Sequence, residues 1–184
     1  MKKLLGILVL SLLWCNVGFA LPECKGKTYA LWNDCVGSAK VPNSKAVYTG
    51  SWKKGKPEGK GSLRWPDGEH FKGDFKNGYM DGFGTYHFND GRIYVGEIKK
   101  DERHGQGTTS WPDGEKYEGE YKNDQMHGYG ILIVPGDDKN KGYKYEGEFK
   151  NDLPHGNGKY FFIDGRVFEV KMRNGERIYT KQIK

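Results

Sequence analysis

From Tyr48 onward, apolar and polar residues alternate in short runs. The run at 117–121, Tyr-Glu-Gly-Glu-Tyr, puts Tyr117, Gly119 and Tyr121 on one side of an extended chain. Glu118, Glu120 and Lys122 fall on the other side, because strand side chains alternate with a period of two. A second run follows the first, and in its earliest copy Gly61, Leu63 and Trp65 share a face. Turn residues rich in Gly, Asp and Asn separate the runs. The pattern predicts strands joined in pairs as hairpins, and no helix.

The same pattern recurs. Tyr48, Phe71, Tyr94 and Tyr117 stand 23 residues apart, Tyr145 follows after 28, and Phe168 after 23. Two residues beyond each of the first five comes Gly50, Gly73, Gly96, Gly119 or Gly147. Four beyond comes Trp52, Phe75, Ile98, Tyr121 or Phe149, and five beyond always Lys. A turn, a Gly-x-Gly, an apolar strand and, in four of the five units, an Asp-Gly complete the unit. A fixed period of this size signals a repeat architecture, here one hairpin per unit, each paired with the next. Glycine weakens a strand, so its regular placement needs a reason. The expectation is that a neighbouring ring lies over each side-chain-free position, so that a sheet without a second layer still buries aromatic area. Ten to twelve such strands would span roughly 50 Å and twist into a trough.

At this point Y-x-G-x-x-x-x-[GD]-x-x-x-G-x-G-x-x-x-x-x-D-G resembles the MORN repeat family. Five units match: 48–70, 71–93, 94–116, 117–144 and 145–167. Residues 168–184 resemble a half unit with Val170 in place of the expected Gly. Residues 21–47 form an N-terminal cap, in which Cys35 and Gly37 fall one residue out of register with the Gly-x-Gly. The resemblance implies an all-β fold, an elongated single-layer antiparallel sheet of tandem hairpins. It also implies protein assembly or self-association, and an association with membrane phospholipid headgroups.

Composition changes the picture at the N-terminus. Two lysines precede an apolar run of eleven, and Gly18 and Ala20 occupy small-residue positions. This reads as a signal peptide cut after Ala20 and gives an exported, periplasmic or extracellular protein. The apolar run is short of the roughly 20 residues that span a bilayer, which disfavours a retained anchor. Trp14 before Cys15 disfavours lipoprotein processing. Cys24 and Cys35 remain, and in an exported chain they are expected to form a disulfide. Without Lys2 and Lys3 the net charge falls from +6 to +4, too mild and too mixed to indicate nucleic acid.

Catalytic chemistry finds little support. His104, His127 and His155 share one offset, but neighbouring units lie about 9–10 Å apart, too far for one zinc ion. The Glu and Asp residues recur as equivalent copies, whereas paired catalytic carboxylates need distinct environments. No metal, cofactor or catalytic residue is expected, and the protein reads as a non-enzyme. The five extra residues of unit four, within 135–144, fail as a calcium loop because Lys139 and Lys141 stand where ligand oxygens belong.

What remains is binding. The candidate face carries Tyr48, Trp52, Trp65, Phe75, Tyr86, Phe88 and Tyr94, then Trp111, Tyr117, Tyr121, Tyr145, Phe149, Tyr160 and Phe162. Ile131, Ile133 and Phe161 form a candidate patch on the charged face, beneath the insert or a partner. A protein partner or a second copy leads, docked in the trough or at an end strand. Anionic phospholipid follows through the offset-five lysines, and envelope polysaccharide through groove aromatics.

Overall fold

A computed structural model describes residues 20–41, 44–136 and 142–184. Residues 1–19 of the expected signal segment, Cys15 among them, and Lys139 and Lys141 lie outside the described residues. Among those described there are thirteen strands. They are β1 Cys35–Lys40, β2 Val47–Lys53, β3 Lys56–Arg64, β4 His70–Lys76, β5 Tyr79–His87, β6 Ile93–Lys99 and β7 Glu102–Ser110. Then come β8 Lys116–Lys122, β9 Gln125–Val134, β10 Tyr143–Lys150, β11 Leu153–Phe162, β12 Val167–Arg173 and β13 Glu176–Gln182. They make one antiparallel sheet in chain order, with a single 3-10 turn at Tyr29–Leu31. The all-β tandem-hairpin expectation holds. The extra strand arises because the C-terminal segment is a whole hairpin and not a half: Asn174 and Gly175, both at positive φ, turn β12 into β13.

Each hairpin tip is a two-residue turn with both φ values positive, such as Asn123 (51°) and Asp124 (64°). That geometry matches the right-handed strand twist, and Asn, Asp and Gly tolerate it best. At the other end the chain turns through Pro-Asp-Gly or its variants. The Trp65 carbonyl accepts the Gly68 amide at 3.2 Å, and the Asp67 carboxylate accepts the Glu69 amide at 3.1 Å.

The two glycines of each Gly-x-Gly do different jobs. The first takes a positive φ at a bulge in the second strand, as at Gly105 (58°) and Gly128 (58°). The second faces a ring. A Cβ on Gly130 would lie 2.5–2.7 Å from the Tyr117 ring and hydroxyl. It also pairs with the glycine of the partner strand, Gly119↔Gly130. The pairs link without a break from Gly37↔Gly50 through Gly130↔Gly147 to Gly147↔Gly158. A glycine row thus crosses β1 to β11 and stops at Val170. Gly37 belongs to this row, so the extra residue at the N-terminal end sits in the β1–β2 connection and leaves the strand in register.

Adjacent units also lock tip to tip. The Asp101 carboxylate accepts the Met80 amide at 2.8 Å, and the Met80 carbonyl accepts the Asp101 amide at 2.9 Å. Asp124 and Arg103 repeat this, as do Asp152 and Met126. Where the earlier unit offers proline, which has no amide hydrogen, the next tip carries glycine: Pro57 faces Gly78 and Pro154 faces Gly175. There the residue after the proline supplies the acceptor, Glu58 for the Asn77 amide and His155 for the Asn174 amide.

The N-terminal end is closed. Cys24 and Cys35 form the expected disulfide. Residues 22–24 run along β1, where the Cys24 amide donates to the Val36 carbonyl and the Val36 amide to that of Pro22. Trp32 packs edge-on against Trp52 at 5.1 Å.

Candidate functional site

The ring face divides into two rows with different exposure. Tyr48, Trp52, Phe75, Tyr94, Tyr117, Tyr121, Tyr145 and Phe149 are core residues, each at most 4% exposed. They pack edge to face along the sheet, with Tyr48–Phe75 at 4.7 Å and Tyr117–Phe149 at 5.0 Å. That geometry suits the ring quadrupoles. The expectation that these eight present a binding surface is corrected: the fold consumes them, because a single-layer sheet has no other apolar layer to close its core.

Their hydroxyls are satisfied locally. Tyr48, Tyr94, Tyr117 and Tyr145 each reach over the glycine and donate to the carbonyl three residues on: Ser51, Glu97, Glu120 and Glu148. Burial pushes all four phenols far above their ordinary range, since a buried phenolate loses its hydration. Tyr121 is the one tyrosine at the offset-four position, and its hydroxyl meets buried Thr109 at 2.6 Å. Thr109 stands where other units carry Leu63, Tyr86, Leu132 or Tyr160. This complementary pair escaped sequence reasoning, although a lone polar residue in an apolar column was its signal. Thr109→Val is expected to destabilise by about 1–3 kcal/mol, because it orphans a buried hydroxyl. Adding Tyr121→Phe should recover most of the loss in a double-mutant cycle read by urea unfolding.

The second row remains reachable. Trp65, Tyr86, Phe88, Trp111, Tyr160 and Phe162 are half-buried. Tyr86 packs on Phe88 at 4.4 Å and on Trp65 at 5.7 Å. The Arg92 guanidinium lies 4.5 Å over Phe88 and that of Arg166 lies 5.4 Å over Phe162. The Tyr86 hydroxyl donates to Glu69 at 2.7 Å, and burial followed by that carboxylate raises its phenol well above the ordinary range.

The opposite face is polar and largely self-paired. Asp74, Glu97, Glu120 and Glu148 spend a carboxylate oxygen on bulge amides, those of Phe83, Gln106, Tyr129 and Asn157. The second Glu of Glu-Gly-Glu is therefore a bulge cap. Lys60 pairs with Asp74 at 2.7 Å and holds its carboxyl below the usual range. Lys116 pairs with Glu118 and Lys144 with Glu146. Ile131, Ile133 and Phe161 do lie on this face. Ile133 and Phe161 flank Lys144, whose ammonium sits 4.4 Å over the Phe161 ring.

Among the described residues no three His, Cys, Asp or Glu side chains gather as a metal site. His155 serves as an amide acceptor at a tip, as noted above. His70 and His87 stack at 4.3 Å, and burial, then His70, lowers the pKa of His87.

Comparison with known proteins agrees with this geometry. The family model of the MORN repeat matches residues 48–70, 71–91, 94–116, 117–136 and 145–165. The chain is 54% identical to alsin of Rattus norvegicus over 41 residues, 22% of this chain and 2% of that protein. Human alsin gives the same identity and coverage. The human ALS2 C-terminal-like protein is 38% identical over 63 residues, 34% of this chain and 6% of that protein. This chain thus spans only 2–6% of the length of these curated relatives.

Proposed function

This chain belongs to the MORN repeat family, a family of non-catalytic repeat modules, and on that premise we propose that it is an exported scaffold whose half-buried ring row holds a segment of a protein partner. One observation carries the reading. The fold needs eight of the fourteen rings for its own core, and the six others keep exposed edges in a row on the same face. Aromatics with polar tips, flanked by arginine, are what protein interfaces favour at their centres. Export is supported by the composition of the N-terminal segment and by the Cys24–Cys35 pairing.

The experiment is capture from a native envelope and medium fraction with the full chain and with Trp65→Ala and Trp111→Ala variants, followed by mass spectrometry. A partner held by the parent chain and lost from both folded variants supports the reading. A partner held equally by all three removes it. The intact mass of the native protein should lack the first twenty residues, and a full-length cytoplasmic mass would refute export. Anionic phospholipid is the second reading, because Lys53, Lys76, Lys99, Lys122 and Lys150 are all exposed. Binding to phosphatidylglycerol vesicles that collapses with added salt would favour it.

A further inference from the structure

We propose that the face opposite the core rings carries a binding groove for a neutral glycan, bounded by Tyr129 and Tyr179. Three large rings stand out from that face: Phe83, Tyr129 and Tyr179, at 55%, 56% and 54% exposure. Phe83 and Tyr129 are the middle residues of their Gly-x-Gly triplets. Other units place Lys60, Gln106 and Asn157 there, so the fold itself asks for no ring. Tyr179 joins the same row by register, through Asn157↔Lys171 and Lys171↔Tyr179. The three rings stand on β5, β9 and β13, four strands apart each time, or roughly 19 Å along the sheet.

A groove of about 450 Å³ lies between Tyr129 and Tyr179, and Gly158 of the glycine row contributes to its lining. Its walls carry Glu146, Asn157, Lys159, Glu169 and Lys171. Three ligand classes fit poorly. An added peptide strand finds β11 already paired on both sides. A phosphate or other polyanion meets two lysines offset by two glutamates, with Lys159 and Glu169 paired at 3.4 Å. A lipid tail would strip water from four charged groups without compensation. A pyranose answers every feature. Its axial hydrogens give an apolar face for the tyrosine rings, and its rim of hydroxyls can donate to the carboxylates and both donate to and accept from the Asn157 amide. A second groove of about 610 Å³ beside Phe83 also has glycines in its lining, with the hydroxyls of Thr49, Ser62 and Thr85 and with Lys60 and Lys72, the former paired to Asp74. A polymer laid across the strands would meet all three rings in turn.

The test is affinity electrophoresis of the full chain through gels holding soluble neutral polysaccharides, hydroxyethyl cellulose and galactomannan, with chitohexaose as a competitor in solution. Retardation on at least one matrix is expected, insensitive to salt. Tyr129→Ser and Tyr179→Ser should each weaken it roughly tenfold, the size of one good ring contact. Both side chains are more than half exposed, so both variants should keep the parent melting curve. Trp65→Ser, on the other face, should retain the retardation, which keeps this outcome separate from that of the protein-partner reading. Absence of retardation on every matrix overturns the proposal. So does retardation unchanged in the tyrosine variants, and so does a tyrosine dependence confined to a captured protein.

Discussion

Gly130→Ala should destabilise the array by roughly 3–5 kcal/mol, although the substitution adds one methyl group to a strand and would raise stability at many exposed sites. The added Cβ would meet the Tyr117 hydroxyl at 2.5 Å and its ring carbons at 2.6 and 2.7 Å. Tyr117 is fully buried. To clear the methyl group the ring must leave its seat, surrender its bond to the Glu120 carbonyl and break its edge contacts with Tyr121 and Phe149. The loss therefore approaches that of truncating a core aromatic. Gly68→Ala is the control. Its Cβ would meet nothing within 4 Å, and only its φ of 99° opposes the change, so it should cost about 1–2 kcal/mol. Urea unfolding of both variants checks the contrast. Similar midpoints would show that the ring does not rest on the backbone. Gly130→Ala combined with Tyr117→Leu should regain part of the loss, since a smaller side chain leaves room for the methyl.

The second large effect is alkaline unfolding. Tyr48, Tyr94, Tyr117 and Tyr145 are completely buried, and burial holds their phenols well above the ordinary 10.0. For each of them the neutral form is the one the fold accepts. Their contribution is fully present below pH 10 and is lost as pH rises from there toward the folded-state values, because the unfolded chain ionises first. Each buried phenol then removes about 1.4 kcal/mol per pH unit, so the four together remove roughly 5–6 kcal/mol per unit. The sheet should stand near neutral pH and collapse over a narrow interval above pH 10, with phenolate absorbance and strand circular dichroism changing together. Phenolate appearing well before loss of the sheet would contradict this account. Tyr94→Phe and Tyr117→Phe should each shift the transition to higher pH.

Much of the architecture was legible in the residues because one physical fact, the period-two alternation, was written five times over. The strands, the hairpin unit and the ring above each glycine all follow from Tyr, Gly and an aromatic at alternate positions. The disulfide followed from two cysteines and from the expectation of export. The candidate face was legible only as a face. Hydropathy places Tyr117 and Trp111 on the same side of the sheet, yet which ring is roofed by its neighbours depends on cross-strand registers that a linear reading does not contain. The same limit hid the role of Glu97, Glu120 and Glu148, which look like surface charge until the bulge amide nine residues away is placed beside them. It also hid Phe83, Tyr129 and Tyr179, because Tyr179 joins the row only through pairing with β12.

The tip-to-tip locks carry a consequence for how such a gene can change length. Recombination between near-identical copies excises whole units, and the survivors must still greet their new neighbours. Losing residues 94–116 would bring Met80 against Asp124, and losing 117–144 would bring Arg103 against Asp152; both joins keep an amide facing a carboxylate. Losing 71–93 would set Asp101 against Pro57, and losing 145–167 would set Gly175 against Met126, each an acceptor or a donor left without its counterpart. Contraction at 94–116 or 117–144 is therefore tolerated, whereas contraction at 71–93 or 145–167 is penalised, and a descendant that lacks one of these four copies should lack one of the former pair.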